Sequence, residues 1–201
     1  MAAVLESVTG KPEGPYQNIK GNLTGPIFDN IDLSAFEDDD GIVYLVGHNH
    51  YIAPMKDNLS DIAEPFRRFK ESPSPQEPYI EGVWLTRHHG KYQLLQTVWS
   101  VAHPNGQYSY LPRTKAKQEV YSYDVVVAEA DHIYGPYGPR YPALLGAGHN
   151  NLFQDKKKNW WSTTFFNPRG VMGQLFPINC RPAIVAVEWK NGRLQPKMDS
   201  K

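Results

Sequence analysis

The chain has 201 residues, 21 Lys plus Arg against 21 Asp plus Glu, a formal charge of zero and a single cysteine. That length suits one domain with a substantial core, and the charge balance, with Lys156-Lys157-Lys158 as its one basic run, argues against a nucleic-acid partner. The lone thiol, Cys180, excludes an internal disulfide and a cysteine-based metal site, and no apolar stretch nears the roughly 20 residues that span a membrane.

The opening "MAAVLESVTGKPEG" lacks the charged and apolar regions of a secretory signal, which leaves localisation unknown. The sequons at Asn22 and Asn58 are of a kind too common to settle it. Aromatic residues make up 12% of the chain, with 17 Pro and 16 Gly, a balance that favours short strands and tight turns. A first strand is expected at 4–9, followed by a turn that ends in Gly14-Pro15-Tyr16. The same shape returns in "VVVAEADHIYGPY" (125–137), again an apolar strand with a turn ending in Gly-Pro-Tyr.

"FEDDDGIVYLVG" (36–47) reads as a β-hairpin, with Gly41 as the residue that tolerates positive φ. Its four acidic residues, Glu37 to Asp40, invite a catalytic or metal-binding reading. Two later hairpins argue otherwise. "WLTRHHGKYQLLQT" (84–97) turns at Gly90 and carries Arg87, His88 and His89 at the matching place. "LFQDKKKNWWSTTF" (152–165) turns at Asn159 and carries three lysines there. A position that takes acids in one copy and lysines in another is a solvated tip. His48 and His50 alternate along a strand end, where they could contact a ligand or simply face water. "NLSDIAEPFRRF" (58–69) is expected to form a helical turn or two before Pro65 interferes. Cys180 lies beside the apolar run "AIVAVEW" and is expected to be buried and inert. "AIVAVEWKNGRLQP" (183–196) is a fourth hairpin, with Asn191-Gly192 at its turn.

Strand pairs recurring at this interval suggest blades of a β-propeller. The predicted segments are 1–20, the last strand of a blade; 27–80, 81–140 and 141–196, one blade each; and a tail at 197–201. The fold class is therefore all-β, of five-bladed propeller type and incomplete, with about three blades plus one strand.

Four of these stretches, in this order, resemble glycoside hydrolase family 43: "NIDLSAFEDDDGIVYLVG", "EGVWLTRHHGKYQLLQT", "VAEADHIYGPY" and "GAGHNNLFQDKKKNWW". The resemblance runs from "KPEGPY" to "WKNGRLQP". It implies an inverting glycosidase in which three carboxylates meet: a base that activates water, an acid that protonates the leaving oxygen, and a third that adjusts the acid's pKa. The family's acid motif falls on Glu81, with Val83 where proline is usual. Its modulator motif falls on Asp32, with Leu33 where proline is usual. Raising the acid's pKa needs partial burial or a neighbouring negative charge, and the resemblance implies that Asp32 supplies the latter. His149 in "AGHNN" matches a family histidine. It implies either a structural calcium nearby or only a hydrogen-bonded histidine; no other cofactor is required. Trp84, Trp99, Trp161 and Phe165, with His48, are candidate sugar contacts, since sugar C–H faces pack on aromatic rings.

The family's general base, an aspartate near the start of the first blade, has no counterpart here; neither Asp29 nor Asp124 stands in the matching context. Arabinofuranosyl, xylosyl or galactosyl linkages in polysaccharides are the substrates implied. Three readings stay open: a truncated glycosidase, a non-catalytic carbohydrate-binding propeller, or a subunit completed by another chain through open blade edges.

Overall fold

Among the described residues fifteen strands, each antiparallel to the neighbours it pairs with, supply the regular structure. The computed structural model describes residues 3–19, 31–48, 50–70, 80–102, 108–110, 122–166 and 181–198, and among these there is no helix. Asn22, Asp29 and Cys180 lie outside the described residues. The strands form two compact units, Met1–Phe69 and Lys70–Lys201.

In the first unit, β1 (Leu5–Ser7) and β2 (Tyr16–Asn18) make a two-stranded sheet. The expected lone strand at 4–9 is thus one arm of a hairpin, because the Gly-Pro-Tyr turn sends the chain back along it. Strands β3 (Ser34–Glu37), β4 (Val43–Gly47), β5 (Tyr51–Pro54) and β6 (Arg67–Arg68) then pair in sequence order. Leu45 and Met55 are the buried centre of this unit, and Val4, Ile19, Leu33, Ile62 and Phe66 pack against them.

The acidic run is a turn. Asp38 N–H donates to Ile42 O at 3.0 Å and Gly41 N–H to Asp38 O at 2.9 Å. Asp38 Oδ1 accepts from Asp39 N–H at 2.9 Å, and Asp40 Oδ1 from Ile42 N–H at 3.0 Å. Two of its carboxylates therefore satisfy the turn's own amides. The segment 58–69 forms no helical turn. Leu59 takes a φ of 56° and its N–H donates to Lys56 O, while Lys56 N–H reaches Asp61 O at 2.9 Å; together they close a tight loop before Pro65.

In the second unit, β7 (Ile80–His88), β8 (Lys91–Ala102), β10 (Ser122–Ala130) and β11 (Tyr141–Leu144) form one sheet in the order β11-β10-β8-β7, with β9 (Tyr108–Tyr110) pairing β8. Strands β12 (Asn150–Gln154), β13 (Trp160–Phe166), β14 (Arg181–Lys190) and β15 (Arg193–Pro196) form the next, again in sequence order. The expected limit at 140 therefore moves past Leu144, since Tyr141–Leu144 pairs with β10. Sheets of four antiparallel strands in chain order have the connectivity of propeller blades.

The apolar run Val125-Val126-Val127 shows why β10 sits inside. Val125 and Val127 join a cluster with Leu95, Leu144, Leu152 and Val187, and Val126 joins Ile80 and Val98 on the other face. All three valines are fully buried. Each such side chain contributes about 1.5–3 kcal/mol of burial.

The turns shift by one or two residues from expectation. In the second hairpin His88 pairs with Lys91, so Arg87 and His88 are strand residues and the tip is His89-Gly90, both at positive φ. In the third, Lys158 rather than Asn159 takes the left-handed conformation, at φ 65°. Asp155 N–H donates to Asn159 O and Lys158 N–H to Asp155 O, so Asp155 is the counterpart of Asp38. Asn191-Gly192 turns as expected, at φ 52° and 75°. The Gly-Pro-Tyr repeat is also conformational: Gly14-Pro15 and Gly135-Pro136 are both cis. Each tyrosine hydroxyl donates to the carbonyl four residues back, Tyr16 to Pro12 and Tyr137 to Ile133.

Candidate active site

Glu81 stands at the start of β7 beside a bulge. It pairs with Thr97, but Val83 pairs with Gln96, so Gly82 is the extra residue, at φ 50°. A bulge bends its strand and re-aims the adjoining side chain. Only glycine fits there: a Cβ on Gly82 would lie 2.9 Å from the His149 ring and 3.1 Å from Thr97 Oγ1. The Glu81 side chain is 23% exposed.

Tyr123, in β10, joins the group. Its hydroxyl donates a hydrogen bond to Glu81 Oε2 and stands 2.8 Å from His149 Nε2. A phenol carries one proton. With that proton given to Glu81, the contact to His149 requires the imidazole to donate, which assigns the histidine's proton to Nε2. His149 Nε2 is itself 3.7 Å from Glu81 Oε2. Trp99 lies directly opposite Tyr123 across the β8–β10 pair, and the two rings stack at 3.9 Å and 21°.

The turn carrying His149 is fixed from below. Asp124 is fully buried; its Oδ2 accepts from Ser100 Oγ and its Oδ1 from Gly146 N–H, both at 2.5 Å. Gly148 N–H donates to Tyr123 O at 2.9 Å, and Thr97 Oγ1 donates to Gly148 O at 3.1 Å. Phe165 N–H donates to Ala147 O at 2.7 Å, which brings that exposed ring beside the same turn.

The second unit thus brings together Glu81, His149, Trp99 and Phe165. Trp84 is elsewhere, partly buried against the core cluster around Leu95. Trp161 also lies apart, its indole N–H donating to Asp155 Oδ2 at 3.1 Å. In the first unit, Asp32 takes a φ of 56°, a conformation Asp tolerates better than most residues. Its Oδ2 lies 3.3 Å from His48 Nδ1, with side-chain exposures of 17% and 5%. His48 and His50 flank the β4–β5 turn and are both buried, not solvated at a strand end.

Tyr123 carries no signal of its place in the sequence. It lies 42 residues from Glu81 and 26 from His149, and no motif spacing links the three. Asp124, whose context does not match the family's base, is a support of the turn through its two bonds.

A model of glycosyl hydrolases family 43 matches residues 4–194. A β-D-galactofuranosidase of Aspergillus niger is 25% identical over 198 residues, covering 88% of this chain and 55% of its own length. Among solved structures, the family-43 protein BlXynB of Bacillus licheniformis superposes with a TM-score of 0.64 at 21% identity, over 96% of this chain and 35% of its own. An endo-1,4-β-xylanase from Bacteroides thetaiotaomicron gives 0.61 at 23% identity, over 94% and 65%. The chain therefore spans about half the length of the curated relative it matches.

Proposed function

The chain belongs to glycosyl hydrolases family 43, and from that premise we propose that it acts on glycosidic bonds of a polysaccharide with Glu81 as general acid. The observation that carries the reading is the chain of hydrogen-bonding groups from Glu81 through Tyr123 to His149. In the forward step Glu81 gives its carboxyl proton to the leaving oxygen as the C–O bond breaks. The carboxylate left behind accepts the Tyr123 hydrogen bond, and Tyr123 in turn accepts from His149. Hydrogen bonds to a charged group are stronger than those to a neutral one, so this network stabilises the product form of the acid.

Trp99 and Phe165 supply aromatic surface for a sugar beside that carboxyl. Asp32 is proposed as the third carboxylate on its motif alone. The reaction is inverting, on arabinofuranosyl, xylosyl or galactosyl linkages. Its water-activating base comes from outside residues 1–201. A base-deficient site turns over slowly, since an acid or base group is worth about 100-fold to 10,000-fold.

The test is hydrolysis of aryl arabinofuranosides, xylosides and galactosides by the purified chain, with and without azide, beside Glu81→Gln. Azide attacks the anomeric carbon with no proton to remove and leaves as a glycosyl azide, so it replaces water and base together. Turnover should be slow, rise with azide and fall about 100-fold or more in Glu81→Gln. Equal rates in the two proteins would remove Glu81 from the role. A folded chain that binds glycans but stays inert in azide would be a carbohydrate-binding propeller.

A further inference from the structure

At the other end of the same strands the second unit has a cavity of about 470 Å³, bordered by His88, Trp160, Trp161, Ala186, Glu188 and Trp189 among others. Three of the chain's five tryptophans stand round it, Trp160 and Trp189 resting partly on the core cluster around Leu95 and Trp161 outside that cluster. We propose that this cavity is a second, non-catalytic saccharide site, which holds one or two sugar rings against the indoles while the Glu81 site acts elsewhere on the same polymer. The choice of saccharide rests on the family-43 reading; the existence of the site does not.

Separation follows from register. Glu81 and His88 are seven residues apart along β7, about 23 Å at a strand rise of roughly 3.3 Å. On β13, Phe165 lies beside the His149 turn, whereas Trp160 and Trp161 open the strand at its other end. A sugar at one place does not occupy the other.

The walls are held in place before any ligand arrives. His88 stacks on Trp189 at 3.9 Å and 17°, and Trp160 meets Trp189 edge-on at 5.0 Å. Trp189 Nε1 donates to Gln93 Oε1 at 2.7 Å, and Trp161 Nε1 to Asp155 Oδ2 at 3.1 Å. Indoles fixed in this way lose little freedom on binding. Burial and the adjacent His89 hold His88 below the ordinary imidazole value, so that ring stays uncharged near neutrality.

Size and chemistry set the ligand class. The volume falls in the range of small-molecule sites, roughly 300–1,000 Å³. Aromatic walls suit the C–H faces of a sugar ring, and Asn159, Glu188 and Lys158 place hydrogen-bonding groups at the margin.

The experiment uses the full chain as Glu81→Gln, so that no turnover consumes the probe, titrated with xylohexaose and arabinohexaose by calorimetry and tryptophan fluorescence. Saturable binding of at least one probe is expected, weakened about tenfold or more in Trp161→Ala, a loss the size of one good ring contact. Ala186→Leu, which fills the cavity without removing a partner, should weaken it similarly. Trp99→Ala should leave this binding in place. Binding lost in Trp99→Ala but intact in both cavity variants overturns the proposal, and so does absence of saturable binding to either probe. Neither result touches the role of Glu81, which the azide assay judges separately.

Discussion

The hydroxyl of Tyr123 donates a hydrogen bond to Glu81 Oε2 while standing 2.8 Å from His149 Nε2. That one contact fixes an oxygen of the proposed acid and sets the proton position on the imidazole. If the network stabilises the carboxylate left after proton transfer, Tyr123→Phe should lower kcat about 10-fold to 100-fold, the worth of a hydrogen bond to a charged group. KM should change much less, because the bond strengthens only as charge develops. Steady-state kinetics on an aryl glycoside, in azide if needed, measure the split.

Gly82 offers a test of the bulge. An alanine there must hold a φ of 50° and push its Cβ to 2.9 Å from the His149 ring. The backbone alone should cost about 1–2 kcal/mol, and the displaced ring should cost activity as well. Urea denaturation gives the first quantity and turnover at full folding gives the second. A variant as active as the parent would show that the bulge does not position Glu81.

Asp124 should prove structural. Asp124→Ala leaves Gly146 N–H and Ser100 Oγ without their acceptor in a buried place, a loss of about 2–5 kcal/mol. Asp124→Asn keeps one acceptor oxygen and should cost less than half of that. Chemical denaturation of both variants ranks them; equal losses would mean that both acceptor oxygens of the carboxylate are needed and that one retained acceptor supports nothing.

Asp155 predicts acid behaviour. Its side-chain bond from Asn159 is the largest cause that lowers its pKa from 3.8 to about 2, with the amides of Asn159 and Lys157 and the Trp161 indole adding to it. A carboxyl depressed on folding lends stability that is complete above its unfolded value and fades as pH falls through its folded one. The contribution should therefore drain away between pH about 4 and about 2. Asp155→Asn should show a shallower fall in melting temperature across that window than the parent. Parallel melts from pH about 5 downward would decide it.

The hairpins were legible from residue order because turn chemistry is local. Gly41, Gly90 and Asn191-Gly192 need only their own dihedral angles to reverse a chain, and the Gly-Pro-Tyr repeat returns with the same cis turn and the same hydroxyl bond to the carbonyl four residues back. The third turn shows the limit. Asn159 is the obvious left-handed residue by type, yet Lys158 takes that conformation because Asp155 gathers the amides of Lys157 and Asn159. A side chain three residues upstream outweighed intrinsic preference.

By itself the sequence determined the all-β class, the succession of strand pairs and the solvated acidic tip. Tertiary structure alone decided that Tyr123 meets Glu81, that Gly82 is a bulge, that Asp124 supports the His149 turn, and that Trp161 stands at a separate cavity from Trp99. The reason is physical. Residues 81 and 123 come from different strands and 149 from the turn before β12, and they meet only through the register in which β7, β8 and β10 pair and the way that turn closes. Register is fixed by burying apolar side chains such as Val125, Val126 and Val127 on both faces of a central strand, a property of the packed sheets that no short stretch of chain contains.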